Sequence, residues 1–543
     1  MANKTLFTSK RGSRVPAANA RNEQGAVAYQ RSATQALAQY VATGCLNGTF
    51  YASADEQLDR VVELCKAVDA GFIARLAVYA RRSAYMKDMP ALLCAVLSTR
   101  DAELFDRVAF EVLDNAKMVR VFVQIMRSGA VGRKSLGTRP KRFVQEWLYK
   151  LSDEQLFRSS VGQNPSISDV IKMVHPRPRD ANRAALYAYL IGKDYDAEAL
   201  PSLVAEYEAF KDRALNGPNP PALKKALRML RKSKGFDFDA NVPDVPFQML
   251  TALPLGLREW ASIAKNASWQ MTRMNLNTFQ RHGLFEHPDL VNRVANRLRN
   301  PERIKKARVF PYQLLAAYMN AEASLPQAIK NALQDALEIA VENVPSIEGK
   351  VVLCPDSSGS MQSPVTGHRR GSTTAVKCVD VAALVAAAFL RKNQDAQVLP
   401  FMEKVRNVEL NPRDSVMTNA KTLSSLGWGG TNCSAPLKWL NDRREAPDLV
   451  VFISDNESWV NSGPSRQGTA MMQEWEVLKR RNAKAKLVCI DIQPYSTAQA
   501  TSRRDILNVG GFSDSVFSAI ADFARHPIDG DYWVSKIEDV QIP

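Results

Sequence analysis

The stretch Val351-Val352-Leu353-Cys354-Pro355-Asp356-Ser357-Ser358-Gly359-Ser360-Met361 decides the fold of the last third of the chain. An apolar, β-branched run that ends in a carboxylate is typical of a buried parallel strand with a polar loop at its C-terminal end. Asp356, Ser358 and Ser360 alternate along that loop, so one carboxylate and two hydroxyl oxygens can converge on a point. Gly359 allows the tight path. These oxygens are ligands suited to a hard cation.

Two later stretches add oxygen ligands. Gly427-Trp428-Gly429-Gly430-Thr431-Asn432 is a glycine-rich loop with a hydroxyl group at Thr431, and the stretch from Leu449 to Ser458 repeats the pattern of a strand ending in a carboxylate. Together they predict a site for Mg2+, with Mn2+ as the alternative, in which water or a partner carboxylate completes the octahedron. The pattern resembles the metal-ion-dependent adhesion site of von Willebrand factor A domains. That resemblance makes the ligands Asp356, Ser358, Ser360, Thr431 and Asp455.

Two other interpretations of this stretch need weighing. A serine-rich turn after a strand is by itself usually only a turn, and it is the later stretches that favour a metal. The rival enzyme is a phosphatase in which a strand-end aspartate attacks phosphate. The haloacid-dehalogenase pattern for that chemistry has a second carboxylate two residues on, where this chain has Ser358. We therefore expect a binding protein without catalytic residues.

Composition places the chain among ordinary globular proteins. Its 543 residues are 45% hydrophobic and 24% charged, enough for two or more domains. No apolar run reaches membrane-spanning length and the N-terminus lacks a signal-peptide core, so we expect no membrane partner. The seven cysteines are scattered without Cys-x-x-Cys spacing, which favours neither a disulfide framework nor a zinc site. A cytoplasmic location is expected.

The formal net charge of +16 is the strongest global feature, since a protein this basic commonly binds a polyanion. Two stretches concentrate the charge. Residues 117–150 carry nine Lys or Arg against Glu146 alone, and residues 293–308 carry seven against Glu302 alone. Most such runs are solvated helix faces. Here the balancing acids are nearly absent, which favours a nucleic-acid surface.

The pattern of the chain changes near residue 345. Residues 29–345 consist of short amphipathic stretches with helical spacing, which predicts an all-α solenoid of stacked helices. Residues 346–526 alternate strands and helices, which predicts a doubly wound α/β domain with the metal site at the C-terminal ends of its strands. Residues 1–28 are expected to be a flexible basic tail. For residues 527–543 the pattern fits a helix or a strand.

A helical solenoid followed by a metal-site α/β domain in one basic chain resembles the Ro family of RNA-binding proteins, whose helical part is called the TROVE domain. The stretches that carry the resemblance are Ala80-Arg81-Arg82, Lys87-Asp88-Met89-Pro90, Ser168-Asp169-Val170-Ile171-Lys172-Met173-Val174-His175-Pro176-Arg177-Pro178, Met271-Thr272-Arg273-Met274-Asn275, Asn300-Pro301-Glu302-Arg303-Ile304, Phe310-Pro311-Tyr312-Gln313 and Ser454-Asp455-Asn456-Glu457-Ser458-Trp459. Their shared order is more specific than any one of them.

The resemblance implies a function. In the family, HEAT-like helical repeats form a monomeric ring closed by the von Willebrand domain. The outer basic face holds a small noncoding Y RNA, and the cavity takes single-stranded ends of misfolded or processed RNAs. A 3′ exoribonuclease such as polynucleotide phosphorylase is the implied bacterial partner. Gly162 departs from the basic residue that some relatives have there. The expected RNA contacts are Arg133, Lys134, Arg139, Lys141, Arg142, Arg158, Lys172, His175, Arg177 and Arg273.

A second function class stays open at this point. A metal-dependent protein-interaction module could capture a partner's carboxylate at the predicted metal site, with RNA binding incidental. The salt dependence of RNA affinity distinguishes the two classes, since phosphate contacts release counterions.

Overall fold

The computed structural model describes residues 15–44, 46–47, 51–216, 240–307, 309, 311–342, 344–367, 376–427, 429–459, 468–493, 495–511, 514–525 and 531–542. Two compact units divide these residues. The first unit takes the described residues within 1–96, 310–312 and 341–543, and the second takes those within 97–309 and 313–340.

The N-terminal part of the first unit begins with two short strands and continues with three helices. Their bounds are β1 Ala20–Arg21, β2 Val27–Gln30, α1 Ala33–Thr43, α2 Ala54–Ala67 and α3 Ala70–Arg82. Local chemistry sets the helix starts. Ser53, for example, caps α2: its hydroxyl accepts from the Glu56 N–H at 3.2 Å, and the Glu56 carboxylate accepts from the Ser53 N–H at 2.7 Å. This reciprocal pair satisfies two backbone donors that a helix end leaves open.

Helices make up the regular structure described from residue 88 to residue 340. In chain order they are α4 Asp88–Arg100, α5 Ala102–Val112, α6 Ala116–Ser128, α7 Thr138–Lys150, α8 Asp153–Arg158, α9 Ile167–Val174, α10 Ala181–Ile191, α11 Ser202–Asn216, α12 Phe247–Thr251, α13 Leu257–Asn266, α14 Trp269–Met274, α15 Leu276–Arg281, a 3-10 turn Leu284–Glu286, α16 Pro288–Leu298, α17 Pro301–Ala307, α18 Pro311–Met319 and α19 Gln327–Ala340. Helices near one another in sequence pack together, as α9 does with α10 and α16 with α19.

The C-terminal part of the first unit alternates strands and helices. Its elements are β3 Val351–Pro355, a 3-10 turn Ser360–Gln362, α20 Cys378–Lys392, β4 Gln397–Val398, α21 Val416–Ser424, α22 Ala435–Asp442, β5 Leu449–Ser454, α23 Ala470–Arg481, β6 Lys486–Asp491, β7 Thr497–Ala498, β8 Ile506–Gly510, α24 Asp514–Arg525 and α25 Tyr532–Glu538. Five of the strands form a parallel sheet in the order β4-β3-β5-β6-β8. Every residue of β3 and β5 is buried, as expected for strands covered on both faces.

The strand order places a topological switch point between β3 and β5. The chain leaves β3 toward β4 on one side and later crosses to β5 on the other, so the loops that follow β3 and β5 diverge. Ligands of doubly wound sheets bind in the crevice at such a point. The predicted doubly wound domain and the helical region before it are both confirmed.

A second, antiparallel sheet joins the N-terminal residues to this domain. Its order is β1-β2-β7, with Tyr29 paired to Ala498 across β2 and β7. Residues 15–28 of the expected flexible tail are therefore part of the fold, because Val27 and Ala28 are buried in this sheet. Residues 1–14 lie outside the part of the chain that the structure describes. The sequence could not show this pairing, since its partners are more than 460 residues apart.

The structure gives the C-terminal segment and the first helix of the α/β domain definite bounds. That helix, α20, begins at Cys378. Helix α25 decides the open choice for the C-terminal segment, because its Trp533 is buried and donates from Nε1 to the Tyr79 hydroxyl at 3.0 Å.

Candidate metal centre and nucleic-acid surface

Two aspartates meet at the switch point of the parallel sheet. Asp356 directly follows β3, and Asp455 directly follows β5. Because β3 and β5 are parallel neighbours with Pro355 opposite Ile453, both carboxylates emerge at the same sheet edge. Asp356 is fully buried and Asp455 is 2% exposed.

The serine loop folds back around Asp356. One carboxylate oxygen of Asp356 accepts from the Ser358 N–H at 2.8 Å, and the other accepts from the Ser454 hydroxyl at 2.6 Å. The Ser358 and Ser360 hydroxyl oxygens lie 3.3 Å apart, and both side chains are buried. The loop thus brings three of the five expected ligands to one point.

The glycine-rich loop closes the site from another side. The Gly359 N–H donates to the Gly429 carbonyl at 2.8 Å, while the Thr431 carbonyl accepts from the Trp459 N–H at 3.2 Å. Thr431 is 4% exposed. A Cβ at Gly430 would collide with the indole of Trp459, so the close approach of these loops requires glycine there. The structure therefore brings Thr431 between the two aspartate loops.

Burial makes this carboxylate pair electrostatically costly. Desolvation raises the pKa of Asp356 above its usual range, and it raises that of Asp455, to which the nearby Asp356 charge adds. No basic side chain among the described residues forms an ion pair with either aspartate. Two buried carboxylates beside three hydroxyl groups are a hard-oxygen donor set that fits a divalent cation. The described residues hold no cluster of three or more His, Cys, Asp or Glu placed for a metal, so hydroxyl ligands are essential to this fit.

Side chains that the sequence did not suggest also border the site. Burial, with the Asp455 charge next, raises the pKa of Tyr51 to about 12, and a hydrogen bond with Ser360 opposes the shift. The Gln24 amide donates to the Tyr51 hydroxyl. Buried Glu457 accepts from the Glu23 N–H at 2.8 Å. No local sequence pattern predicts that residues from 23 to 51 border this site. Only Glu457 could have been found from the sequence, because it lies next to the predicted ligands.

The ten expected RNA contacts all lie in the second unit, and the structure divides them by their partners. Three are engaged within the protein. Arg139 lies 3.4 Å from the Asp106 carboxylate, Arg158 pairs with Glu154 and Asp244 at 3.3 and 3.0 Å, and Arg273 donates to the Gln313 carbonyl at 2.7 Å. The other seven form no salt bridge in the described part of the chain. They are Arg133, Lys134, Lys141, Arg142, Lys172, His175 and Arg177.

Contact between helices α7 and α9 brings five of these seven basic residues together. The Gln145 side chain on α7 donates to the Val174 carbonyl at the end of α9, at 2.6 Å. Basic residues about thirty positions apart in sequence therefore share one surface. We call it the α7–α9 surface and define it by Lys141, Arg142, Lys172, His175 and Arg177. All are exposed except Lys141, which is partly exposed.

The second basic cluster contributes less free charge than its sequence suggests. Arg297 donates to the Ala264 carbonyl and the Thr272 hydroxyl at 2.6 and 3.1 Å. Burial lowers its pKa to about 10, with the charges of Arg303 and Arg293 adding to the shift. Arg308 lies outside the described residues. Arg297 is therefore a packing residue rather than a cation available to a ligand.

Two further observations limit the classes of function. Within the described residues no helix is long and apolar enough to cross a membrane. Their six cysteines are free and buried, and burial raises the thiol pKa of those for which a shift is resolved, such as Cys354 and Cys433. Buried, protonated thiols are poor nucleophiles.

Comparison with known proteins identifies relatives. Residues 350–524 match the family model described as the Ro60 vWA domain. RNA-binding protein RO60 of Deinococcus radiodurans is 24% identical over 530 residues, 93% of this chain and 95% of that protein. RNA-binding protein RO60 of Caenorhabditis elegans is 24% identical over 248 residues, which span 44% of this chain and 37% of the nematode protein. The crystal structure of the Deinococcus radiodurans RO (RSR) protein aligns with a TM-score of 0.59 at 22% identity, covering 92% of this chain and all of that one.

Proposed function

We propose that this protein binds RNA, because residues 350–524 match the family model of the Ro60 vWA domain and most of the chain is similar to an RNA-binding protein RO60. It is a non-enzymatic scaffold for RNA quality control, processing or decay. It holds a small noncoding Y RNA on an outer basic surface and takes single-stranded ends of other RNAs. A 3′ exoribonuclease such as polynucleotide phosphorylase then acts on those ends.

The α7–α9 surface is the observation that carries the proposal. Its basic residues come from α7, from α9 and from the connection that follows α9, and none has a salt-bridge partner among the described residues. The charges of its Lys and Arg side chains are therefore available to phosphates. Nearby acids are already engaged: Glu146 lies 3.0 Å from Lys150, and Asp153 binds Arg179 and Arg183. Phosphate contacts of this kind position RNA without specifying its sequence.

The metal belongs to the same proposal. Asp356, Ser358, Ser360, Thr431 and Asp455 would hold Mg2+, or Mn2+ in its place. A divalent cation there would neutralise the two buried carboxylates and fix the loops after β3 and β5. The chain's own contribution is to hold these oxygens in one buried place, as the Ser358 and Ser454 hydrogen bonds to Asp356 do.

Salt dependence tests the RNA surface. Replacing Lys141, Arg142 and Lys172 together with Gln should weaken binding of all single-stranded RNAs alike. It should also reduce the slope of log affinity against log salt by about 0.7 for each phosphate that is no longer neutralised, or roughly 2 in all. Affinity is measured by fluorescence anisotropy across a series of salt concentrations on either side of the physiological one.

The matched control removes the same charge from cations that already have partners. Lys66, Lys211 and Lys438 each pair with an acid and are not among the expected RNA contacts, so their triple Gln variant should keep a slope near that of the wild type. Equal slopes for the two triple variants would show that the α7–α9 surface is only a solvated face. RNA affinity that ignores salt would instead favour the protein-interaction module, whose affinity for a protein partner should collapse with a chelator.

A further inference from the structure

Tyr149 stands out on the α7–α9 surface because its aromatic ring is exposed. It lies in the last turn of α7, and 55% of its surface is accessible to solvent. Its helix neighbours Phe143 and Trp147 are 5% and 6% exposed and lie in the core. Two other described aromatic side chains are comparably exposed, and each has another explanation. Tyr195 packs edge-on against Tyr189 at 5.5 Å, and Trp459 borders the metal centre.

The Tyr149 ring has no structural task of its own in the described part of the chain. It forms no hydrogen bond and no ring contact there. Helical periodicity places it one turn beyond Gln145 and two turns beyond Arg142, on the face opposite the buried Phe143 and Trp147. Tyr149 therefore extends the same stripe of α7 that carries Arg142.

The connection from α9 to α10 runs beside this stripe. It begins at Val174, whose carbonyl accepts from Gln145, and it reaches Arg179, which donates to the Leu151 carbonyl at 3.4 Å. Gln145 precedes Tyr149 by one turn and Leu151 follows it at the end of α7, so the residues between Val174 and Arg179 run along the last turn of α7, which carries Tyr149. Two of them are the exposed basic residues His175 and Arg177 of the α7–α9 surface.

The backbone of this connection keeps its cations outward. His175 ends α9 in the left-handed region, with φ of 49°, and its N–H donates to the Ile171 carbonyl at 2.9 Å. The prolines at 176 and 178 restrict the residues that follow. An exposed aromatic ring thus lies on the same stripe of α7 as Arg142, close to the connection that carries His175 and Arg177. This arrangement suits a ligand that has both phosphate and a flat apolar face.

We propose that Tyr149 is a base-stacking residue, on which an unpaired base of RNA lies while its flanking phosphates contact the α7–α9 surface. The inference rests on the proposed RNA-binding function and deepens it. A duplex hides the faces of its bases, whereas an unpaired nucleotide can present one to an aromatic side chain. Stacking tolerates any base, so Tyr149 selects unpaired nucleotides without selecting their sequence.

Tyr149→Ala tests the proposal. Stacking contributes about 1–3 kcal/mol per base, so the variant should bind single-stranded RNA roughly 5- to 150-fold more weakly. The slope of log affinity against log salt should not change, since no charge is removed. Tyr149→Trp and Tyr149→Phe should keep most of the affinity. Tyr195→Ala is the matched control and should bind as the wild type does. Because Tyr149 is exposed, its Ala variant should melt at the wild-type temperature.

A change in the RNA locates the contact. Abasic nucleotides are introduced one at a time along the oligonucleotide, and one position should weaken the wild type but not Tyr149→Ala. Equal affinity of Tyr149→Ala and wild type, with normal salt dependence, would overturn the stacking role and leave the proposed function intact. The stacking role would also be overturned if Tyr149→Ala lost as much affinity for blunt duplex RNA as for single-stranded RNA. RNA affinity of the wild type that ignores salt would instead refute the proposed function itself.

Discussion

Arg31 and Asp491 link two segments of the chain that are far apart in sequence. Arg31 follows β2, Asp491 ends β6, and they form a buried ion pair with side chains 5% and 2% exposed. Arg31 also donates to the Thr497 carbonyl at 3.2 Å, and Asn456 donates to Asp491. Burial raises the pKa of Asp491 to about 7 even though the Arg31 charge opposes the shift. The carboxylate therefore depends on its partner to stay ionised.

Arg31→Met should destabilise the protein by about 3–5 kcal/mol near pH 8, because it leaves a buried charge unpaired. Without Arg31, the folded-state pKa of Asp491 lies still further above its unfolded value of about 4. Such a group binds more protons when folded, so stability falls as pH rises between the two values. The deficit should shrink toward pH 5, as followed by urea unfolding.

A second substitution separates charge from packing. Arg31→Met combined with Asp491→Asn should recover part of the lost stability and show a weaker dependence on pH. A deficit of the same size from pH 5 to pH 8, unrelieved in the double variant, would mean that Arg31 acts through packing and its carbonyl contact alone.

At the scale of elements, the parallel pair β3 and β5 positions the two aspartates of the candidate metal centre. Each strand is a buried apolar run, and their register puts Asp356 and Asp455 at one edge. The strands position the two aspartates, and the loops supply the hydroxyl groups. An alternation of strand and carboxylate is visible in the sequence. Strands β3 and β5 are neighbours because the chain crosses to the other side of β3 after β4. This crossover places side by side two aspartates that are about a hundred positions apart in sequence.

Divalent cations should bind at this edge and raise the melting temperature of the wild type, because a ligand of the folded state stabilises it. Asp356→Ala should abolish the Mg2+ isotherm in titration calorimetry. Asp455→Asn should melt at the same temperature with Mg2+ and with EDTA, and without metal it should melt no lower than the wild type, since it removes a buried charge. Asp442→Asn, at an exposed ion pair with Lys438, is the control and should retain the Mg2+ response. An unchanged isotherm in Asp356→Ala would remove the site.

At the scale of the whole molecule, the net charge of +16 is unevenly used. Some cations hold the fold, as the buried Arg183 does by donating to the carbonyls of Leu148 and Leu151 at 2.8 and 2.5 Å. Others pair with acids, and a third group is left exposed. The third group decides where a polyanion binds, so a count of Lys and Arg overstates the surface available to RNA.

RNAs with free ends should bind best. If single strands enter a cavity that a duplex cannot, a hairpin with a single-stranded 3′ tail should bind at least about fivefold more tightly than a blunt hairpin of equal charge. That gain corresponds to one or more stacked bases. Competition in a mobility-shift assay compares the two RNAs directly. Equal affinities at equal charge would confine binding to the outer surface.

Local patterns in the sequence determined the secondary-structure elements and the chemical types of the candidate ligands. The apolar runs before Asp356 and Asp455 predicted buried parallel strands, and helical spacing predicted the helices of residues 29–345, because burial periodicity is a local property. The resemblance to Ro proteins rested on motifs in a fixed order. The metal ligands, the RNA contacts and the ring stay predictions that the experiments above test.

Only tertiary structure decided which distant residues meet. It brought the end of α9, where Lys172 and His175 lie, into contact with α7, tied Arg158 and Arg297 into the fold, and left Tyr149 exposed where Trp147 is buried. It also paired β2 with β7 and placed Tyr51 at the candidate metal centre. Composition cannot tell a free cation from a paired one, because pairing depends on contacts between segments far apart in sequence. That is the physical reason why the sequence and its resemblances suggested candidate RNA contacts but could not show which of them the fold leaves unpaired.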